Sequence, residues 1–196
     1  MNRTLRIAVA DDEPRMLQFY REVLPMMGHE VVCTALNGAE LIEQCRSARP
    51  DLVISDIKMP DMDGIDASKQ LAAQEAVPII MVTAHDDPEL LERAGATPVL
   101  AYLVKPIKRQ DLQPAIVIAM RRFEELQALQ KDATDLRQAL QDRKIIERAK
   151  GVLMKRTGRD EASAFQSMQK LARDKNRKLV QVAEMILTAE EAFGLE

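Results

Sequence analysis

The chain has no tryptophan, and only 3% of its residues are aromatic. Its core must therefore rest on Leu, Ile, Val, Met and Ala, a composition that favours helices. Cysteine is scarce too. Cys33 and Cys45 stand alone, without CxxC or Cys/His metal spacing. Two reduced, half-buried thiols of a cytosolic protein are expected. His29 and His85 are the only histidines. Neither has a second ligand at metal-binding spacing, so a zinc site is excluded as a main feature. No apolar run approaches the roughly 20 residues that span a bilayer. The N-terminus, MNRTLRIAVADDEP, lacks the apolar core and cleavage site of a secretory signal. A cytoplasmic protein with no membrane partner is expected. Internal repeats and low-complexity segments are absent.

What is present is a globular composition, 46% hydrophobic and 30% charged. A length of 196 residues suits one large domain or two small ones. The net charge of −3 conceals an asymmetry. Between Arg143 and Lys178 there are 12 basic and four acidic residues, a net of +8, which leaves −11 for the rest. An acidic regulatory half and a basic half that meets a polyanion are implied.

The first 110 residues alternate strand and helix patterns. Strands are predicted over Leu5–Ala10, Glu30–Thr34, Leu52–Asp56, Pro78–Thr83 and Val99–Val104. Helices are predicted over 14–27, 37–48, 64–75 and 87–95, with another starting near 109–114. Such alternation argues an α/β fold, a doubly wound five-stranded parallel sheet with helices on both faces. The flavodoxin-like order 2-1-3-4-5 fits, and it places ligands at the carboxyl ends of strands 1 and 3.

Four of those strands end in chemistry. LRIAVA is followed by Asp11 and Asp12, LVIS by Asp56, and PIIMV by Thr83. VLAYLV is followed by Lys105 and Pro106. One acid at a strand–helix junction is commonly a helix cap. Four such ends together are not accounted for by capping. Asp56 can attack a phosphoryl group and form an acyl phosphate. Crowded carboxylates recruit a hard cation, and Mg²⁺ needs oxygen ligands, which Asp12 and Asp56 offer. Lys105 and Thr83 can stabilise charge on the transferring group. Glu13 and His85 lie near this site, with a surface role the commoner alternative. Pro60, Asp61, Asp63 and Gly64 read as turn residues.

These motifs, across about residues 4–122, resemble the receiver domain of two-component response regulators. The resemblance implies a sensor histidine kinase as partner. It implies the backbone carbonyl of Lys58 as a third metal ligand, and Asp11 acting through a metal-bound water. It also implies a cis Lys105–Pro106 bond and a switch aromatic at Tyr102, which follows Thr83 inward on phosphorylation. Plain packing is the alternative for Tyr102. The domain is set at 1–122.

After about residue 112 the pattern is helical. Leu126, Leu129, Ala133, Leu136 and Leu140 step by 3, 4, 3 and 4, the spacing of a short coiled-coil seam. Packing within one domain and a homodimer contact are both open. Pro114 fits a first helical turn, so a restart there with Asp111 as cap is expected. The linker is set at 115–141.

Residues 141–196 read as a small three-helix all-α domain. Thr157-Gly158 is a helix stop, Asp160 an N-cap for a helix over 161–174, and Asn176 a breaker before a last helix over 178–192. Apolar faces run through Ile146, Ala149, Val152 and Leu153; Ala164, Phe165, Met168, Leu171 and Ala172; and Leu179, Val182, Ala183, Ile186 and Leu187. The residues Ala149-Lys150-Gly151, Leu153-Met154, Ala164-Phe165, Leu171-Ala172, Leu179 and Val182-Ala183 resemble the ANTAR domain of transcription antitermination regulators. That resemblance implies binding of paired RNA hairpins in nascent transcripts. Without aromatic platforms, contacts would rest on Arg148, Lys150, Lys155, Arg173, Lys175, Arg177 and Lys178, and on close approach at Gly151. A solvated basic face is the plainer alternative. A DNA-binding output, a non-nucleic-acid adaptor and an output enzyme are the rival functions. The enzyme is disfavoured because residues 115–196 hold no His or Cys.

Overall fold

The structure is a computed structural model that describes residues 3–74, 76–84 and 99–193. The helix expected over 87–95 and His85 lie outside the described residues. The chain divides into two compact units, Met1–Gln127 and Ala128–Glu196.

The first unit is built on five strands. They are β1 (Arg6–Ala10), β2 (Glu30–Ala35), β3 (Leu52–Asp56), β4 (Ile79–Thr83) and β5 (Val99–Val104). All pair in parallel, in the order β2-β1-β3-β4-β5. Burial follows position in the sheet. Every residue of the inner strands β3 and β4 is buried, whereas the edge strands β2 and β5 are partly exposed. Parallel strands covered on both faces need near-continuous apolar runs, which LVI and IIMV supply, while the buried Ser55 hydroxyl donates to the Asp56 carbonyl. Alternate residues feed opposite cores. Ile7, Val9, Ile54, Ile80 and Val82 join one, with Leu17, Tyr20, Leu24 and Leu112. Ala8, Ala10, Val53, Ile79 and Met81 join the other, with Leu41, Ile42, Ile65 and Leu71. Each fully buried Leu or Ile contributes roughly 1.5–3 kcal/mol. A one-residue slip would invert every one of these assignments, so the register is strongly specified.

The helices of this unit are α1 (Pro14–Met26), α2 (Gly38–Ala48) and α3 (Gly64–Gln74), and it includes the start of α4 (Arg109–Thr157). Asn37 caps α2, its side chain accepting the Glu40 N–H at 2.9 Å. Cys33 on β2 and Cys45 on α2 are free thiols that face each other. The expected restart at Pro114 does not occur. The helix begins at Arg109, and the Asp111 carboxylate accepts the Lys108 N–H at 2.9 Å. Pro114 sits in the second turn, where it forfeits one main-chain bond near a helix end already secured by that cap.

The second unit takes the C-terminal part of α4 with α5 (Glu161–Asp174) and α6 (Leu179–Phe193). Gly158, at φ 66°, follows the end of α4, and its N–H reaches the Met154 carbonyl. Asp160 caps α5 by accepting the Ser163 N–H at 2.7 Å. Ala149, Met168 and Ala183 form the centre, packed by Ile145, Ile146, Leu153, Leu179, Ile186 and Leu187. Small Ala residues let the three helices approach closely. Two expected core residues differ. Leu171 is 37% exposed and Phe165 is half-buried, because α5 turns its Ala164–Met168–Ala172 stripe to the core instead.

His29 precedes β2 in a buried position, 6% exposed, and its Nδ1 accepts the Leu5 N–H at 3.3 Å. That bond requires the neutral ring, and burial holds its pKa below the ordinary 6.5. A lowered folded pKa contributes stability that is complete above the unfolded value and lost as pH falls through the folded one. Stability should therefore decline as pH drops from 7 toward 5. His29→Asn, which keeps an acceptor but does not titrate, should flatten that slope in urea unfolding. An equal slope in both proteins would refute the role.

Candidate functional site

Register brings the strand-end residues together. Ala10 pairs with Ser55 and Asp56 with Val82, so Asp11 and Asp56 leave neighbouring strands at the same edge. Thr83 pairs with Val104, which sets Lys105 beside them. Asp11 is fully buried, Asp56 is buried, and Asp12 is exposed. Ligand oxygens of Asp11, Asp12 and Asp56 lie within 4.8 Å of one another. An open cavity of about 250 Å³ is lined by Asp12, Glu13, Asp56, Lys58, Thr83 and Lys105.

One cation holds these acids. The Lys105 ammonium lies 2.5 Å from Asp56 Oδ2, 3.1 Å from Asp11 Oδ2 and 3.2 Å from Glu13 Oε1. Burial alone would lower the Lys105 pKa. Its hydrogen bonds to Asp56 and Asp11, and their charges, outweigh that and raise it. Burial raises the Asp11 pKa, opposed by the Glu13 N–H and by Lys105. The Lys105–Pro106 bond is cis. The donor set is hard oxygen on an acidic edge, as Mg²⁺ requires. Bound there, the ion would supply positive charge against an incoming phosphoryl group.

Thr83 is buried, and its hydroxyl donates to the Ala84 carbonyl at 2.9 Å. Tyr102, 38% exposed, stands on β5 opposite Met81. The Lys58 N–H is 3.3 Å from Asp56 Oδ1. The sequence reading placed Glu13 near the site and Gly64 in a turn, but not the contacts they make. Glu13 shares the Lys105 ammonium, a tertiary pairing between residues 92 positions apart. Gly64 packs under the site, and a Cβ there would lie 2.0 Å from the Asp56 carbonyl oxygen. A turn glycine was legible, but the close approach was not.

In the second unit Arg148, Lys155, Arg173, Lys175, Arg177 and Lys178 are exposed. Lys150 differs. It is 8% exposed and paired with Glu147 at 2.6 Å and Glu161 at 2.7 Å. Those hydrogen bonds raise its pKa. Gly151, beside it, is exposed, and a Cβ there would meet nothing within 4 Å.

Residues 7–117 match the response regulator receiver domain, and residues 134–187 match the ANTAR domain. The chain is 41% identical over 182 residues to the transcriptional regulatory protein PdtaR of Mycobacterium tuberculosis, covering 93% of this chain and 89% of that protein. The regulatory protein AtoC of Escherichia coli is 32% identical over 69% of this chain, but over only 28% of its own length. Among solved structures, a response regulator receiver domain protein from Clostridium thermocellum superposes with a TM-score of 0.57 at 32% identity. It covers 62% of this chain and 98% of that one. The signal receiver domain of a modulated diguanylate cyclase from Desulfovibrio desulfuricans gives 0.59 at 27% identity, covering 62% and 98%. The paired matches, one over the acidic strand edge and one over the basic helices, show that this chain belongs to the response regulators that join a receiver domain to an ANTAR domain.

Proposed function

We propose that this phosphorylation-regulated regulator of transcription binds RNA hairpins in nascent transcripts and thereby controls termination in the cytoplasm. The observation that carries the reading is the second unit. Its ANTAR match lies over the +8 segment, and six of the seven basic residues singled out there are exposed. Such a surface neutralises phosphates and releases counterions. In this reading the output of the second unit is binding.

In this reading a sensor histidine kinase is the phosphoryl donor. An Asp56 oxygen attacks phosphorus, the bond to the donor histidine breaks, and an acyl phosphate forms. Asp11, Asp12, Asp56 and the Lys58 carbonyl would hold Mg²⁺, which would supply positive charge against the incoming phosphoryl group. Lys105 transfers its ammonium from the carboxylate to a phosphoryl oxygen. Thr83 turns its hydroxyl from Ala84 to another, and Tyr102 moves inward behind it. Activation then joins two copies along α4. Leu126, Leu129, Leu136 and Leu140 are 53%, 65%, 63% and 52% exposed, and Ala133 between them is exposed too. A stripe of leucines left in water at a/d spacing is suited to a second helix of the same kind.

Incubation with a small phosphodonor and Mg²⁺ should add one phosphoryl group by intact mass, and Asp56→Asn or chelation should abolish it. Continued labelling of the Asn variant would sink the assignment. Light scattering should show a higher mass after phosphorylation, and Leu129→Ser with Leu136→Ser should remove the change. A monomer in both states would remove the dimer from the scheme. Titration of the full chain should favour hairpin RNA over duplex DNA of equal length, with affinity falling steeply as salt rises. Gly151→Ala should stabilise the unit by about 0.5–1 kcal/mol, because nothing occupies the added methyl's place. The same change should weaken hairpin binding where RNA approaches that backbone. Tighter binding to DNA would overturn the reading.

A further inference from the structure

We infer that Glu147 and Glu161 occupy Lys150 as a built-in substitute for phosphate, so that only an RNA placing a phosphate at this point can displace them. The inference rests on the RNA-binding reading of the second unit and specifies how that surface is regulated.

The burial of the trio is unequal. The Lys150 side chain is 10% exposed, while Glu147 and Glu161 are 54% and 69% exposed. The cation is fixed inside and the anions are outside it. The Lys150 Nζ reaches Glu147 one turn back on α4 and Glu161 in the first turn of α5, at 2.6 and 2.7 Å. The two carboxylates themselves help cover the ammonium, and their hydrogen bonds outweigh burial in holding its charge. Two of the four acids in the +8 segment are spent on one lysine.

The acids can leave more easily than the lysine. Each is a flexible side chain with more than half its surface in water. Lys150 would have to withdraw its buried stem. Gly151 leaves the adjoining backbone open. A phosphate arriving beside it would meet the Lys150 ammonium and the N-terminal turn of α5, a place that favours anions. The exchange replaces a carboxylate by a phosphate at the same cation. Until it happens, the two exposed carboxylates repel any polyanion at this point. A diffuse polyanion gains little there, while a hairpin that seats one phosphate gains the whole exchange.

The test is a double-mutant cycle on the full chain with hairpin RNA as the probe. Glu161→Gln should tighten binding by about three- to tenfold, the scale of losing one close like-charge repulsion. Lys150→Met, which keeps the stem and removes the charge, should weaken it. In the Lys150→Met background, Glu161→Gln should give a clearly smaller gain, since only the direct repulsion by the carboxylate is relieved and no cation is freed. Glu184→Gln on α6 controls for net charge and should give a smaller gain. Equal gains from Glu161→Gln with and without the Lys150 charge, or from Glu184→Gln, would overturn the inference and leave RNA binding intact. So would a lower melting temperature for Glu161→Gln without tighter binding, the mark of a purely structural pair. If neither the wild-type chain nor any variant binds hairpin RNA, the functional reading fails with it.

Discussion

The Lys105 ammonium lies within 3.2 Å of three carboxylates, those of Asp56, Asp11 and Glu13. Asp11 and Asp56 project from adjacent parallel strands, so their charges cannot separate without breaking the register that buries β1 and β3. A single cation makes that crowding tolerable. It also leaves the site responsive. A carboxylate already paired at 2.5 Å with a cation is chemically able to exchange that ionic partner for another. The sheet supplies the rigidity, and the loops after its strands supply the chemistry. Thr83 and Lys105 are set side by side because β4 and β5 end in register.

The second unit repeats the device with the signs weighted differently. Lys150 is again an ammonium between carboxylates, but its acids face solvent. In the first unit burial confines Asp11 and Asp56, and the lysine bridges them and the exposed Glu13. In the second unit burial confines the lysine and the acids cover it. The remaining basic residues named there stay exposed, which is the arrangement of a surface that meets an extended polyanion. No helix among the described residues is long and apolar enough to cross a membrane.

Much of this was legible in the chain. Apolar runs of five or six residues ending in Asp, Thr or Lys are strands buried on both faces, and alternation with helices implies a parallel sheet of this order. The cap at Asp160 and the stop at Gly158 are local chemistry, decided within a few residues. Asp11, Asp12, Asp56, Thr83 and Lys105 were readable because strand ends in such a sheet converge on one edge. The start of α4 falls within the expected 109–114, but the restart at Pro114 was misread, since a proline marks a helix start only when nothing better caps it. Here Lys108 and Asp111 do so earlier.

The sequence by itself determined element types, sheet order and the identity of the chemical groups, because these follow from local periodicity and from the sides on which strands can be covered. Only the tertiary structure decided which groups touch. Glu13 meets Lys105 across 92 positions, Gly64 closes on the Asp56 carbonyl, and Glu161 reaches Lys150 from another helix. Solvation was decided there too. Lys150 reads as one more exposed cation in a basic run, and its burial follows from how three helices pack, which no local pattern encodes.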